Sequence, residues 1–251
     1  LMGAFVLLLA VPSWLSFDKQ KAEVTKNIDL IEIDTAGINT AIIPKQQNEI
    51  EAELDGKGFV TVKEHGDSIK VEYERKWYQH FTFFNRNKLT IYIPESYNRD
   101  LEIEVGSGNL LLDGKANDLH INHLSLEAGS GNIQIEKVKS KEAVIDVHSG
   151  NVDVKKFAGQ LKADVSSGNL KVEFDRLQDS VQTDVSSGHL TLKLPENADF
   201  TLDSHISSGK ISSDFPLKHK VESKNKLKGV HGNGKHQLEL SVSSGRIQII
   251  H

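Results

Sequence analysis

Acidic, histidine and serine side chains are the residues of this sequence whose types and spacing could do chemistry. Glu104, Glu127, Asp146, Asp164 and Asp184 each stand four residues before a glycine in the same local pattern. Paired carboxylates cleave glycosidic bonds when one is set as acid and the other as base or nucleophile across the sugar. These five fall in register with a repeat, and no irregular insertion sets two of them apart. They read instead as a row on one face, able to bind cations or a basic partner, or to keep that face solvated and free of aggregation. His120 and His123 have a spacing that suits a metal on a helix, but in a strand an odd spacing sends the rings to opposite faces. His148, His189 and His205 sit beside glycines without sharing a column. There is no cysteine, which excludes disulfides, thiolate catalysis, Cys-ligated zinc and lipid on a cysteine. Ser-Gly pairs abound, yet no G-x-S-x-G elbow occurs. GKGF at Gly56 and HGNGKH at His231 lack the spacing and the following helix of a phosphate loop. No catalytic residue, metal or cofactor is expected, and the chain reads as not an enzyme.

The remaining candidates are aromatic. Trp77, Tyr78, Phe81, Phe83 and Phe84 crowd into WYQHFTFF, between two alternating stretches. Such a cluster either closes the end of a repeat rod or contacts a partner. Specific binding is expected here first, and alanine at Trp77, Phe81 and Phe83 is expected to abolish partner capture without unfolding the chain.

The elements that position these residues come from a repeat. It reads VGSGNLLL at Val105, AGSGNIQI at Ala128, VHSGNVDV at Val147 and VSSGNLKV at Val165, then VSSGHLTL at Val185, ISSGKISS at Ile206 and VSSGRIQI at Val242. Its glycines are Gly108, Gly131, Gly150, Gly168, Gly188, Gly209 and Gly245, at steps of 23, 19, 18, 20, 21 and 36. A degenerate early copy, IDTAGINTAII, places Gly37 in the same role. Apolar residues three before and two and four after each glycine alternate with polar ones, which predicts strand, turn, strand with one face buried. A unit of this size buries that face only by stacking. We therefore expect an all-β, single-domain parallel β-solenoid of about 20-residue SSG repeats, preceded by an N-terminal apolar helix. Six or seven coils would make a rod about 30 Å long. An antiparallel sandwich with hairpins at each Ser-Gly is the rival. Glycine suits a corner of positive φ, and the serine hydroxyl before it can bond a nearby backbone group. Asn109, Asn132, Asn151 and Asn169 follow four successive glycines and would stack into an amide ladder.

The chain has 251 residues and a net charge of −5, which gives no reason to expect nucleic acid as partner. Residues 1–17, LMGAFVLLLAVPSWLSF, carry no charge and read as a signal-anchor that holds the chain to a membrane. The remnant of a cleaved signal peptide and a buried helix are the alternatives. Residues 18–27 read as a tether and 28–251 as the solenoid domain.

IEIDTAGINTAIIP, GDSIKVEYE and KLTIYIPESYNRDLEIEVGSGNLLLDG, followed by serial SSG turns and GNGKHQLELSVSSGRIQII, resemble the bacterial DUF4097 domain over about residues 28–251. The resemblance implies an adhesin-like β-solenoid without established enzymatic activity. A membrane segment ahead of it is similar to LiaG-like proteins of Firmicutes, which implies a link to envelope stress. The expected function is a membrane-tethered extracytoplasmic module, binding or scaffolding an envelope protein or wall polymer. The alternatives are an adhesin-type or self-associating rod, whose last strand, ending at His251, could pair with another copy, and a polysaccharide-active enzyme.

Overall fold

A computed structural model describes residues 18–74, 87–115 and 119–251, and none of them is helical. The strands are β1 (Asp18–Glu23), β2 (Leu30–Asp34), β3 (Asn39–Lys45), β4 (Glu49–Asp55), β5 (Phe59–His65), β6 (Ser68–Glu74), β7 (Lys88–Pro94), β8 (Asp100–Val105), β9 (Asn109–Asp113), β10 (Leu119–Ala128) and β11 (Asn132–Glu136). They continue with β12 (Val138–Val147), β13 (Asn151–Val165), β14 (Asn169–Phe174), β15 (Val181–Val185), β16 (His189–Lys193), β17 (Phe200–Ile206), β18 (Lys210–Ser213), β19 (Lys218–Ser223), β20 (Lys226–His231), β21 (His236–Val242) and β22 (Arg246–Ile250). In β8 the alternation is plain: Leu101, Ile103 and Val105 are buried while Glu102 and Glu104 are exposed. Side chains alternate across a strand, so an apolar residue at every second position gives each strand one face for the core.

In the seven coils that carry the repeat, a strand, a Ser-Gly corner and a second strand follow one another. The strands entering the corners form sheet B, in the order β5, β6, β2, β8, β10, β12, β13, β15, β21, β17, β20, β19. The strands leaving them form sheet A, in the order β1, β4, β7, β3, β9, β11, β13, β14, β16, β22, β18. The long β13 serves both sheets. It bends where Lys156 and Gly159 take φ of 54° and 141°, and there a Cβ on Gly159 would lie 1.7 Å from the Ser140 carbonyl oxygen. Pairing between coils is parallel throughout. Antiparallel pairing is confined to β1, β4 and β5 at one end and β19 and β20 at the other. The expected parallel solenoid is thus present, and its inward Leu, Ile and Val share one continuous core.

Nine coils stack, not six or seven, and the first to the last span about 38 Å at the usual strand spacing. Their order also departs from the chain. The coil β2–β3 lies between β6–β7 and β8–β9, and the last coil, β21–β22, lies between β15–β16 and β17–β18. The long final step of 36 residues holds the hairpin β19–β20, which caps sheet B before the chain turns back into the gap. The C-terminal strand is therefore flanked on both sides and is no edge; sheet A ends at β18 instead. Residues 18–23, expected in the tether, form β1, paired with β4. The apolar segment 1–17 and the aromatic cluster Trp77, Tyr78, Phe81, Phe83 and Phe84 lie outside the described residues.

Candidate functional site

The corners set the geometry of the outer surface. None of the seven repeat glycines has the left-handed φ that the sequence suggested. They are glycines because the coils touch there. A Cβ on Gly131 would lie 2.0 Å from the Gly108 carbonyl oxygen, and one on Gly245 2.2 Å from that of Gly188. The same carbonyls accept the next rung's backbone N–H, as in Asn151 N to Gly131 O at 2.9 Å and Arg246 N to Gly188 O at 3.0 Å. A side chain would have to part coils that these bonds hold together. The expected serine hydroxyl bond occurs weakly at Ser130, to the Gly106 carbonyl at 3.5 Å. The corner serines are joined instead through their backbone N–H groups, as in Ser149 to Gly129 O at 2.8 Å.

The amide ladder forms as expected and is one rung longer. Asn109 donates to Asn39 at 2.9 Å, Asn132 to Asn109 at 3.0 Å, Asn151 to Asn132 at 2.9 Å and Asn169 to Asn151 at 2.7 Å. Asn39 escaped notice because Gly37 was aligned with the repeat glycines. In the fold Thr40 pairs with Leu110, so Ile38 takes the place of Gly108, and Gly37 falls beside Ser107. Each rung bond uses one amide hydrogen and one oxygen lone pair, leaving a second of each for another partner. Beside the ladder on sheet A runs the row Ala41, Leu111, Gln134, Asp153, Lys171, Thr191. Ladder and row line a shallow trough parallel to the rod axis, with Lys88 and His189 along it. In that trough Asp153 keeps one buried carboxylate oxygen without a hydrogen bond. The next row outward neutralises itself, with Glu136 meeting Lys115 at 2.8 Å and Lys155 at 3.5 Å, and Glu173 facing Lys193 at 3.9 Å.

Sheet B carries the acidic row, which is also longer than expected. Glu72, Asp34, Glu104, Glu127, Asp146, Asp164 and Asp184 stand on seven adjacent strands in one register. Neighbours at the strand spacing repel. Asp34 pushes the Glu104 carboxyl above its ordinary range, helped by partial burial and by Glu127. Burial, then Asp164 and Glu127, does the same to Asp146. Partial relief comes from Lys70, 3.5 Å from Glu72, and from His148, 3.1 Å from Glu127.

No group of three metal-ligating side chains occurs among the described residues. Contrary to the alternation argument, His120 and His123 are both exposed. Ile121 and Leu124 are both buried because the pairing of β10 with β12 skips Asn122, which shifts the alternation by one residue. His123 then meets Asp100 at 3.0 Å.

A family model described as Toastrack DUF4097 matches residues 28–250. Among solved structures, a candidate adhesin from Bacteroides fragilis NCTC 9343 is 13% identical with a TM-score of 0.49, covering 94% of this chain and 98% of its own. A candidate lipid-binding protein from Parabacteroides distasonis ATCC 8503 is 15% identical with a TM-score of 0.48, covering 93% and 97%. A candidate cell adhesion protein from Clostridium sporogenes ATCC 15579 is 14% identical with a TM-score of 0.40, covering 93% and 99%. No curated protein matches the chain.

Proposed function

The chain belongs to the Toastrack DUF4097 family, and on that footing we propose that it is a non-catalytic module that lies along a linear polymer of the bacterial cell envelope. In this reading residues 1–17 hold it to the membrane and the solenoid stands outside the cell, where it serves the response to envelope damage. The observation that carries the reading is the sheet A trough. Five asparagines offer one spare amide hydrogen and one spare lone pair per coil, all in line. Beside them Ala41, Leu111 and Thr191 supply an apolar floor. Equal groups at equal steps suit a ligand that itself repeats, a wall glycan more than a small molecule. Between Lys88 at one end and His189 at the other the ladder side carries only amides, which favours a neutral polymer over a polyanion.

The test is co-sedimentation of the full-length protein with insoluble cell-wall material. Wild type is expected in the pellet. Leu111→Glu combined with Gln134→Glu changes two outward side chains and is expected to cut capture at least tenfold with the circular dichroism spectrum unchanged. Wild type that stays in the supernatant, or a double variant captured as well as wild type, would reject the trough.

A further inference from the structure

On the edge of the rod opposite the Ser-Gly corners, the chain passes from sheet A back to sheet B. Midway along the stack these passages leave no room: β11 and β12 are joined by Lys137 alone, and β13 bends from one sheet to the other without a loop. Further along, residues 175–180 and 194–199 make longer passages, and residues 232–235 turn from β20 into β21 on the same edge. Residues 194–199 have to pass the inserted coil β21–β22 to reach β17. These three turns enclose a cavity of about 360 Å³, within the range of small-molecule sites. Stacking accounts for the corners, the amide ladder and the carboxylate row, because each recurs from coil to coil. It does not account for this cavity, which is built from residues outside the repeat.

Arg176 and Gln178 line the cavity from the first turn, Asn197 from the second, and Lys235 and His236 from the third and the strand it opens. The apolar lining includes Leu177 and Ala198, both buried. Each of the five polar side chains can donate. Among the described residues Gln178, Asn197, Lys235 and His236 make no side-chain hydrogen bond or ion pair. Arg176 pairs with Asp175 through Nε at 3.7 Å, which leaves its two terminal amino groups. The nearby carboxylate of Asp199 is already engaged, accepting Asn233 N at 2.8 Å and Lys235 N at 2.9 Å. Those bonds tie the third turn to the second, as does His236 N to Asp199 O at 3.1 Å, and Ala198 N closes the second turn on Pro195 O at 2.9 Å. The walls are therefore set before a ligand arrives.

We propose that this cavity binds a phosphate monoester, with its phosphoryl oxygens held by Arg176, Lys235 and His236 and the esterified group lying on Leu177 and Ala198. Guanidinium and ammonium groups are the usual partners of phosphate. Donors that converge from three separate turns suit a tetrahedral oxyanion, whose oxygens point apart. A carboxylate offers two oxygens in one plane and would leave several of these donors without a partner. The cavity is larger than a phosphoryl group needs, and its apolar side chains give the rest of the ligand a surface. Asp179 and Glu196 stand on the same turns outside the lining. Their charge suits a single anionic group and disfavours a long polyanion. The cavity shares no residue with the sheet A trough, so it does not rest on the polymer reading.

Titration calorimetry of the full-length protein, in detergent for its apolar N-terminus and at fixed ionic strength, tests this with glycerol 3-phosphate, inorganic phosphate and acetate. Glycerol 3-phosphate is expected to bind at one site per chain, inorganic phosphate to compete for that site more weakly, and acetate to give no measurable heat. Arg176→Gln and Lys235→Gln are each expected to weaken glycerol 3-phosphate by about tenfold, the loss of one charge-assisted contact. Gln178→Glu changes an exposed side chain and sets a negative charge in the cavity, so it is expected to abolish binding with the circular dichroism spectrum unchanged. Lys224→Gln removes a lysine outside the cavity and is expected to bind as wild type does. Wild type that takes up neither phosphate compound, binding that survives the three cavity variants, equal weakening by Lys224→Gln, or acetate bound as tightly as phosphate would overturn the proposal. Wall capture by the cavity variants reads the sheet A trough and is expected to be unchanged, so the two readings fail separately.

Discussion

At the corners a single hydrogen atom on each glycine decides whether neighbouring coils can hydrogen-bond. Gly131→Ala sets a methyl group 2.0 Å from the Gly108 carbonyl oxygen, which is backbone and is held by the Asn132 N–H. The clash cannot be relieved by a rotamer, so the coils must part. The expected cost is about 3 kcal/mol in urea unfolding, at the upper end for overpacking. Gly66 is the control. It has a φ of 66° but open space around its Cβ position, so Gly66→Ala is expected to cost only about 1 kcal/mol, the penalty of a left-handed backbone. Equal costs at the two sites would remove the close-contact explanation. A glycine in a sequence shows that a side chain is unwelcome but not why. The positive-φ expectation at the seven corners failed on that ambiguity, whereas the asparagines that follow four of them could be read directly, because identical residues one coil apart have little else to bond than each other.

Rows across strands behave as units that no single strand reveals. The carboxylate row is an example, because its folded-state proton affinities are raised at Glu104 and Asp146. A carboxyl whose folded pKa lies above its unfolded value costs stability at neutral pH. That cost disappears as pH falls through the folded value toward the unfolded one. Glu104→Gln and Asp146→Asn are therefore expected to raise the melting temperature at pH 7 and to lose that gain once the pH is below the ordinary carboxylate range, where the carboxyl is protonated in both the folded and the unfolded chain. Asp199 runs the other way. Backbone N–H groups of Lys235 and Asn233 hold its carboxyl low, so Asp199→Asn is expected to destabilise at pH 7 and to lose its effect in acid. If the row variants gain nothing at pH 7, the repulsion is already screened. Five members of this row were readable because each stands four residues before the glycine of a Ser-Gly corner. Asp34 and Glu72 were not, because one strand leads into TAG and the other into residues 75–86, with no serine-glycine to align. The exposed pair His120 and His123 was misplaced for a related reason: a skipped residue in β10 shifts the alternation, and nothing in LHINHLSLEA marks where.

For the whole molecule, the two ends are built by insertion. The chain lays down β17–β18, caps sheet B with β19–β20, and only then places β21–β22 against β15–β16. Stacking itself was legible, because an amphipathic unit of two short strands has no other way to bury its face. The order was not, because coils with the same inward Val, Leu and Ile fit on one another in any sequence. The insertion has a consequence for stability. A chain ending at Lys235 would leave β15 and β17 about 10 Å apart, two strand spacings, with β15 paired only to β13, β17 only to β20, and no backbone partner across the gap. Contacts in a solenoid reach only the adjacent coil, so the damage should stay local. Hydrogen exchange on that truncated chain is expected to show β17, β18 and β20 exchanging almost as an unfolded segment, with β8 to β14 protected as in the intact chain. If β17 and β18 keep their protection, they have closed the gap and docked directly on β15 and β16. The coils would then be interchangeable at this end, and the inserted position of β21–β22 would follow from the length of the hairpin before it and not from any fit between particular faces.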